Sequence, residues 1–238
     1  MDLSKTNKAL WFLFCFILFL PFLVERHFIA PFTLSREPLY IWGTIHWIYC
    51  YISYGAACLL YLKWRKKNNC TIIIKPDKKE LKWMCLAVVI GVTVSRLFEI
   101  VAVYIFNDTV IHITTPMIYR EFMGYVIRTE PIWLGVGTFL MQTIYYLFEF
   151  ALIAFIIDCS HKTSERMGWS QKIPWGGIFL TLTWGLGHRF GIIPSALRGE
   201  LAYSIGKTLQ CLTVGFAYML PGKKPLYAFM AIMASYWL

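Results

Sequence analysis

This chain has little charge. Asp, Glu, Lys and Arg make up only 15% of it against 58% for apolar types, and no hydrophilic stretch is long enough for a separate soluble domain. That balance excludes a water-soluble globule, because the apolar side chains would outnumber the places to bury them. A mean hydropathy of +0.56 instead indicates an integral membrane protein. The seven cysteines include no CxxC pair, are odd in number and lie mostly in apolar runs. Neither a disulfide framework nor a zinc site follows from them. Internal repeats and low-complexity tracts are absent too.

What is present is a series of long apolar runs. A helix needs about 20 mostly apolar residues to cross the roughly 30 Å hydrocarbon layer, and such runs lie near 9–24, 39–62, 83–106, 132–157, 174–194, 200–220 and 225–238. The first and last are short. The expected fold is all-α, a polytopic transmembrane helical bundle of about six to seven helices. Residues 1–131 supply N-terminal transmembrane helices and loops, and 132–238 a membrane core within the same integral membrane domain. Residues 1–24 read as an uncleaved signal anchor, since the following "VERHFIAPF" offers no good small-residue cleavage site.

Acidic residues are the minority among the charges, 13 against 23 basic, for a net charge of +10. The distribution argues against nucleic acid as the partner, because eight of the 23 basic residues fall in 63–82, "KWRKKNNCTIIIKPDKKELK". With the N-terminus and that loop placed in the cytoplasm, the inside segments carry fifteen Lys and Arg and the outside loops six. This is the positive-inside bias. It predicts a multi-pass protein of the cell membrane whose first partner is the lipid bilayer, with anionic lipid a secondary contact of the basic loop.

Ionisable residues inside the spans are the informative ones, because each costs a few kcal/mol at the bilayer centre. They are His46, Arg96, Glu99, Glu149, His188 and Lys207. Lys207 is close enough to a span end to snorkel. Arg96 and Glu99, spaced i, i+3, can neutralise each other. His46 sits among aromatics with no partner visible in sequence and reads as a hydrogen-bonded packing histidine. Glu149 has no basic residue within two helical turns, and Gln142, Tyr145, Tyr146 and Glu149 make a polar stripe at i, i+3, i+4 and i+7. The next run places Gly177, Thr181, Trp184 and His188 on one face, with the glycine expected to let the two helices approach. Glu149 and His188 are then expected within about 8 Å, near enough for direct or one-water contact. Burial suits the carboxylate to act as a general base, and the imidazole can donate to a developing oxyanion. The same spacing serves a structural Glu–His hydrogen bond, and geometry alone does not choose.

The stretch from about 140 to 238 resembles the membrane core of the CPBP family, the CAAX-protease and bacteriocin-processing proteins. Glu149 in "YYLFEFALIAF" takes the place of a motif glutamate. Trp184-Gly-Leu-Gly-His188 takes the place of FxxxH with Trp for Phe, and "LQCLTVGFAYMLPGKKPLYAF" resembles the entry into the family's last helix. The likeness is to a divergent bacterial branch. Phe148 and Phe150 flank Glu149 where the family has a Glu–Glu pair, Ile153 or Ala154 stands where it has Arg, and the last HxxxN motif has become "AFMAIMASYWL".

The resemblance implies an intramembrane peptidase that cleaves a membrane-proximal bond of a peptide or membrane-protein substrate, with Glu149 and His188 catalytic and Trp184, Tyr145 and Gln142 beside them. Glu165, with His161 and Asp158 in a short cytoplasmic loop, is a further candidate should that loop fold back. A second reading is a catalytically reduced member acting as a peptide-binding immunity or scaffold protein. A third is a transporter or lipid-binding protein, which the absence of repeated halves disfavours. One Glu and one His bind zinc poorly without further ligands, so no cofactor and no tightly bound metal is expected.

Overall fold

The computed structural model describes residues 3–35, 38–67, 77–106, 117–129, 131–185, 197–220 and 222–237. Among these the chain is helical, with no strand. Helix α1 (Leu3–Val24) runs through a π-helical turn at Glu25–Ile29 into α2 (Ala30–Thr33). Then come α3 (Leu39–Lys67), α4 (Lys78–Phe106), α5 (Met117–Arg128) and α6 (Ile132–Arg166). Helix α7 (Trp175–Leu180) passes into a second π-helical turn at Thr181–Gly185, and α8 (Leu197–Met219) and α9 (Pro225–Trp237) follow.

Proline and a charged cap set several of these boundaries. Pro131 and Pro174 are the residues before α6 and α7, and Pro225 is the first residue of α9. A fixed φ and a missing N–H suit proline to a helix start. At the start of α4, Asp77 Oδ1 accepts from the Glu80 backbone N–H at 2.6 Å, and Glu80 Oε2 accepts from Asp77 N–H at 3.1 Å. This reciprocal capping box satisfies two N–H groups that a helix end leaves over.

Glu80 also joins α4 to α9, accepting from Lys224 Nζ at 2.5 Å and Tyr227 OH at 2.7 Å. Those bonds, the lysine first, lower its carboxyl to about 2.

Three helices are long and apolar enough to cross a membrane: Ala9–Thr33, Tyr40–Lys67 and Ile132–Arg166, with Pro225–Ser235 a shorter apolar helix. Their outward faces are hydrophobic. Helix α3 exposes Ile41, Ile45, Ile48, Ile52 and Leu59, and α6 exposes Leu140, Ile144 and Leu147. Continuous belts of that kind are untenable in water and normal in lipid. Helix α6 is the central strut, packed against α1, α3, α5, α7 and α9, while α4 lies on α8 and α9. Its apolar window is 56% buried against 33% and 39% for the other two spanning helices, which sets the long helix inside the bundle.

Several span ends differ from the sequence reading: α3 runs past 62 to Lys67, and α4 begins before 83, at Lys78. The first span continues past residue 24 to Thr33, because the π-helical turn carries the helix through Glu25, Arg26 and His27. The fourth continues past 157 to Arg166. Asp158, His161 and Glu165 are therefore helical residues of α6 and not members of a loop. Their polar turns are matched from other helices: Asp158 accepts from Tyr61 OH at 2.5 Å, Arg65 Nη1 at 2.9 Å and Tyr218 OH at 2.7 Å. Arg65, counted in sequence among the basic loop charges, is buried in α3 as the partner of Asp158. It is thus a helix residue and not a loop charge.

Candidate functional site

The stripe on α6 faces inward. Gln142, Tyr145, Tyr146 and Glu149 are all buried, as spacing over two helical turns requires of residues on one face. Gln142 Nε2 donates to Tyr146 OH at 3.1 Å, one turn along. The Tyr145 ring lies 4.8 Å from that of Trp47 and 5.7 Å from that of Tyr54, so α3 closes this side of the stripe with aromatic surface.

Glu149 is met by the neighbouring segment. The indole Nε1 of Trp184 donates to Glu149 Oε1 at 3.3 Å. Trp184 belongs to the π-helical turn that follows α7, and it is buried. Trp184 thus contacts the carboxylate directly. His188, four residues on, lies outside the described residues, so its distance to Glu149 is not part of this geometry. The side chains of Glu99 and Lys207 lie outside them as well.

Gly177 does not do what spacing suggested. A Cβ there would lie 2.9 Å from Gly215 Cα and 3.0 Å from Cys211 O, both on α8. Thr181 Oγ1, one turn on, donates to Thr208 O on α8 at 3.4 Å. It is Gly176 whose missing side chain makes room for the Ile157 carbonyl of α6. Adjacent helical residues point about 100° apart, so α7 uses one glycine toward each neighbour. The π-helical turn then shifts the register, and Trp184 reaches α6 although Thr181 faces α8.

Glu165 is remote from this site. It stands 16 residues beyond Glu149 on the same helix, about 24 Å along the axis at 1.5 Å per residue. Lys223 Nζ holds it at 2.6 Å and His161 Nε2 is 3.6 Å away. The lysine also donates to Gln171 Oε1 at 3.0 Å, so this end of α6 is tied to the turn before α9. Glu165 and His161 are thus members of a helix-end network and do not fold back toward Glu149.

A second polar cluster, missed in the sequence reading, adjoins the stripe. Glu25, the first residue of the π-helical turn after α1, comes within 3.1 Å of His46 Nε2 on α3, and Tyr54 OH donates to its other oxygen at 3.1 Å. His46 Nδ1 contacts Thr33 Oγ1 at 3.0 Å. Ligand atoms of Glu25, His46 and Cys50 all lie within 4.8 Å of one another, which makes them a set able to hold a cation. Cys50 and Tyr54 are within electrostatic reach of both Glu25 and Glu149. The available signal was the i, i+4 spacing of His46 and Cys50 on one helix face.

No family model matches the chain, and neither a curated protein nor a solved structure matches it.

Proposed function

We propose that the chain is an intramembrane peptidase of the CAAX-protease-like type, with Glu149 as general base and His188 as the group that donates to the oxyanion. The observation that supports this reading is the Trp184–Glu149 hydrogen bond of 3.3 Å. It sets Trp184, four residues before His188, against the carboxylate-bearing face of α6. With Oε1 held by an indole N–H, the carboxylate is oriented to take a proton from water at a membrane-proximal peptide bond. Tyr145 and Gln142 wall the same side. The bundle has six to seven spans in this reading, with the N-terminus and the loop within 63–82 in the cytoplasm.

The experiment uses the full chain in proteoliposomes with fluorescence-quenched peptides tethered to the bilayer by an acyl chain. Cleavage by the wild type and a loss of about 10²-fold or more in Glu149→Gln is expected of a general base. Peptide binding without cleavage, undiminished in Glu149→Gln, would favour the immunity or scaffold reading, since glutamine keeps the shape and most of the hydrogen bonding.

A further inference from the structure

The His46 side chain is fully buried, and its two nitrogens are treated differently by their surroundings. Thr33 Oγ1 donates its own hydrogen to Ile29 O at 2.7 Å, so toward the ring it acts as acceptor and takes the Nδ1–H at 3.0 Å. That places the Nδ1–H on Thr33 and turns Nε2 to the space shared with Glu25 and Cys50. Nε2 lies 3.1 Å from Glu25 Oε1, yet makes no hydrogen bond to it or to any other group. An imidazole nitrogen and a carboxylate oxygen that close, in a low-dielectric interior and beside a buried thiol, are held together by a positive charge between them, a proton or a cation.

We propose that Glu25, His46 and Cys50 form a binding site for a divalent cation of the zinc class. A thiolate, an imidazole and a carboxylate are ligands that zinc accepts together, and three protein ligands leave a fourth position for water. The spacing is suitable. Nitrogen and oxygen ligands about 2.0–2.1 Å from a tetrahedral ion stand about 3.3 Å apart, against 3.1 Å here. The widest separation in the set is within 4.8 Å, and rotation of the thiol closes the remainder. Both oxygen- and nitrogen-bearing ligands are oriented from behind, Glu25 by Tyr54 and His46 by Thr33, the support that metal ligands usually have. The π-helical turn that begins at Glu25 is the backbone device that aims its carboxylate at α3. This inference does not rest on the peptidase reading.

The test is cobalt binding to the full chain, purified in detergent and stripped with a chelator. One equivalent is expected, with a thiolate-to-cobalt charge-transfer band that zinc abolishes by displacement. Cys50→Ser should remove the band and Cys58→Ser should keep it. Thr33→Val should keep the band and weaken affinity about 10- to 100-fold. X-ray absorption at the cobalt edge of the unaltered chain, which needs no variant to fold, should show one sulfur among the ligands. Absence of stoichiometric binding, a cobalt shell without sulfur, or a band that survives in Cys50→Ser overturns the proposal and leaves Glu25 and His46 a plain ion pair.

Discussion

Arg65 on α3 and Asp158 on α6 form an ion pair of 2.9 Å whose side chains are 6% and 0% exposed. Tyr61 and Tyr218 satisfy the rest of the carboxylate, so three helices meet on one buried charge. Removing one partner leaves the other charge unpaired in a low dielectric, which costs about 3–5 kcal/mol. Asp158→Asn should therefore destabilise the bundle by about that amount in reversible unfolding in detergent micelles. Adding Arg65→Met to it should recover part of the loss. Equal stability of Asp158→Asn and the wild type would show that the pair contributes nothing.

Close backbone approach makes a second prediction, this time about glycine. At Gly177 an added methyl meets backbone atoms of Gly215 and Cys211, which cannot give way, whereas at Gly137 nothing lies within 4 Å. Gly177→Ala should cost about 1–3 kcal/mol by overpacking. Gly137→Ala should be neutral or stabilising by up to about 1 kcal/mol, because it removes backbone freedom from a helix. Thermal unfolding of the two variants side by side checks the contrast.

Acid should loosen the contact between α4 and α9. The Glu80 carboxyl is held down to about 2 by Lys224, Tyr227 and the Asp77 amide, below an ordinary unfolded value of about 4.3. A lowered folded pKa contributes stability that is fully present above the unfolded value and is lost as pH falls from about 4.3 through about 2. The stability difference between the wild type and Glu80→Gln should thus be constant from pH 7 to 5 and shrink steadily toward pH 3. A difference that stays flat to pH 3 contradicts the assignment.

Much of the helical frame was legible because apolar runs of span length and the i, i+3, i+4, i+7 stripe on α6 are local signals. The missed features depend on partners far away in sequence or on departures from the α-helical repeat. Glu25 was placed beyond the first span on hydropathy, and only the π-helical turn brings it to His46. Asp158 was read as a loop residue because its match, Arg65, sits 93 residues earlier. The choice of Gly176 or Gly177 as the contact with α6 turns on one step of 100°, finer than a face assignment from spacing. The His46–Cys50 pair carries no CxxC signature, and its i, i+4 spacing gains meaning only once Glu25 stands beside it.

The proposed peptidase turns on Glu149 and His188 sharing one site, and chemical cross-linking between those positions tests it most directly. In a background whose seven native cysteines are replaced, Glu149→Cys and His188→Cys are introduced together and treated with a bifunctional thiol reagent spanning about 8 Å, the reach of a direct or one-water contact. The account predicts an intramolecular cross-link in membranes, formed by the double variant and by neither single one. If both cysteines react singly with a monofunctional reagent yet no cross-link forms, the two residues do not face each other, and the peptidase reading is contradicted.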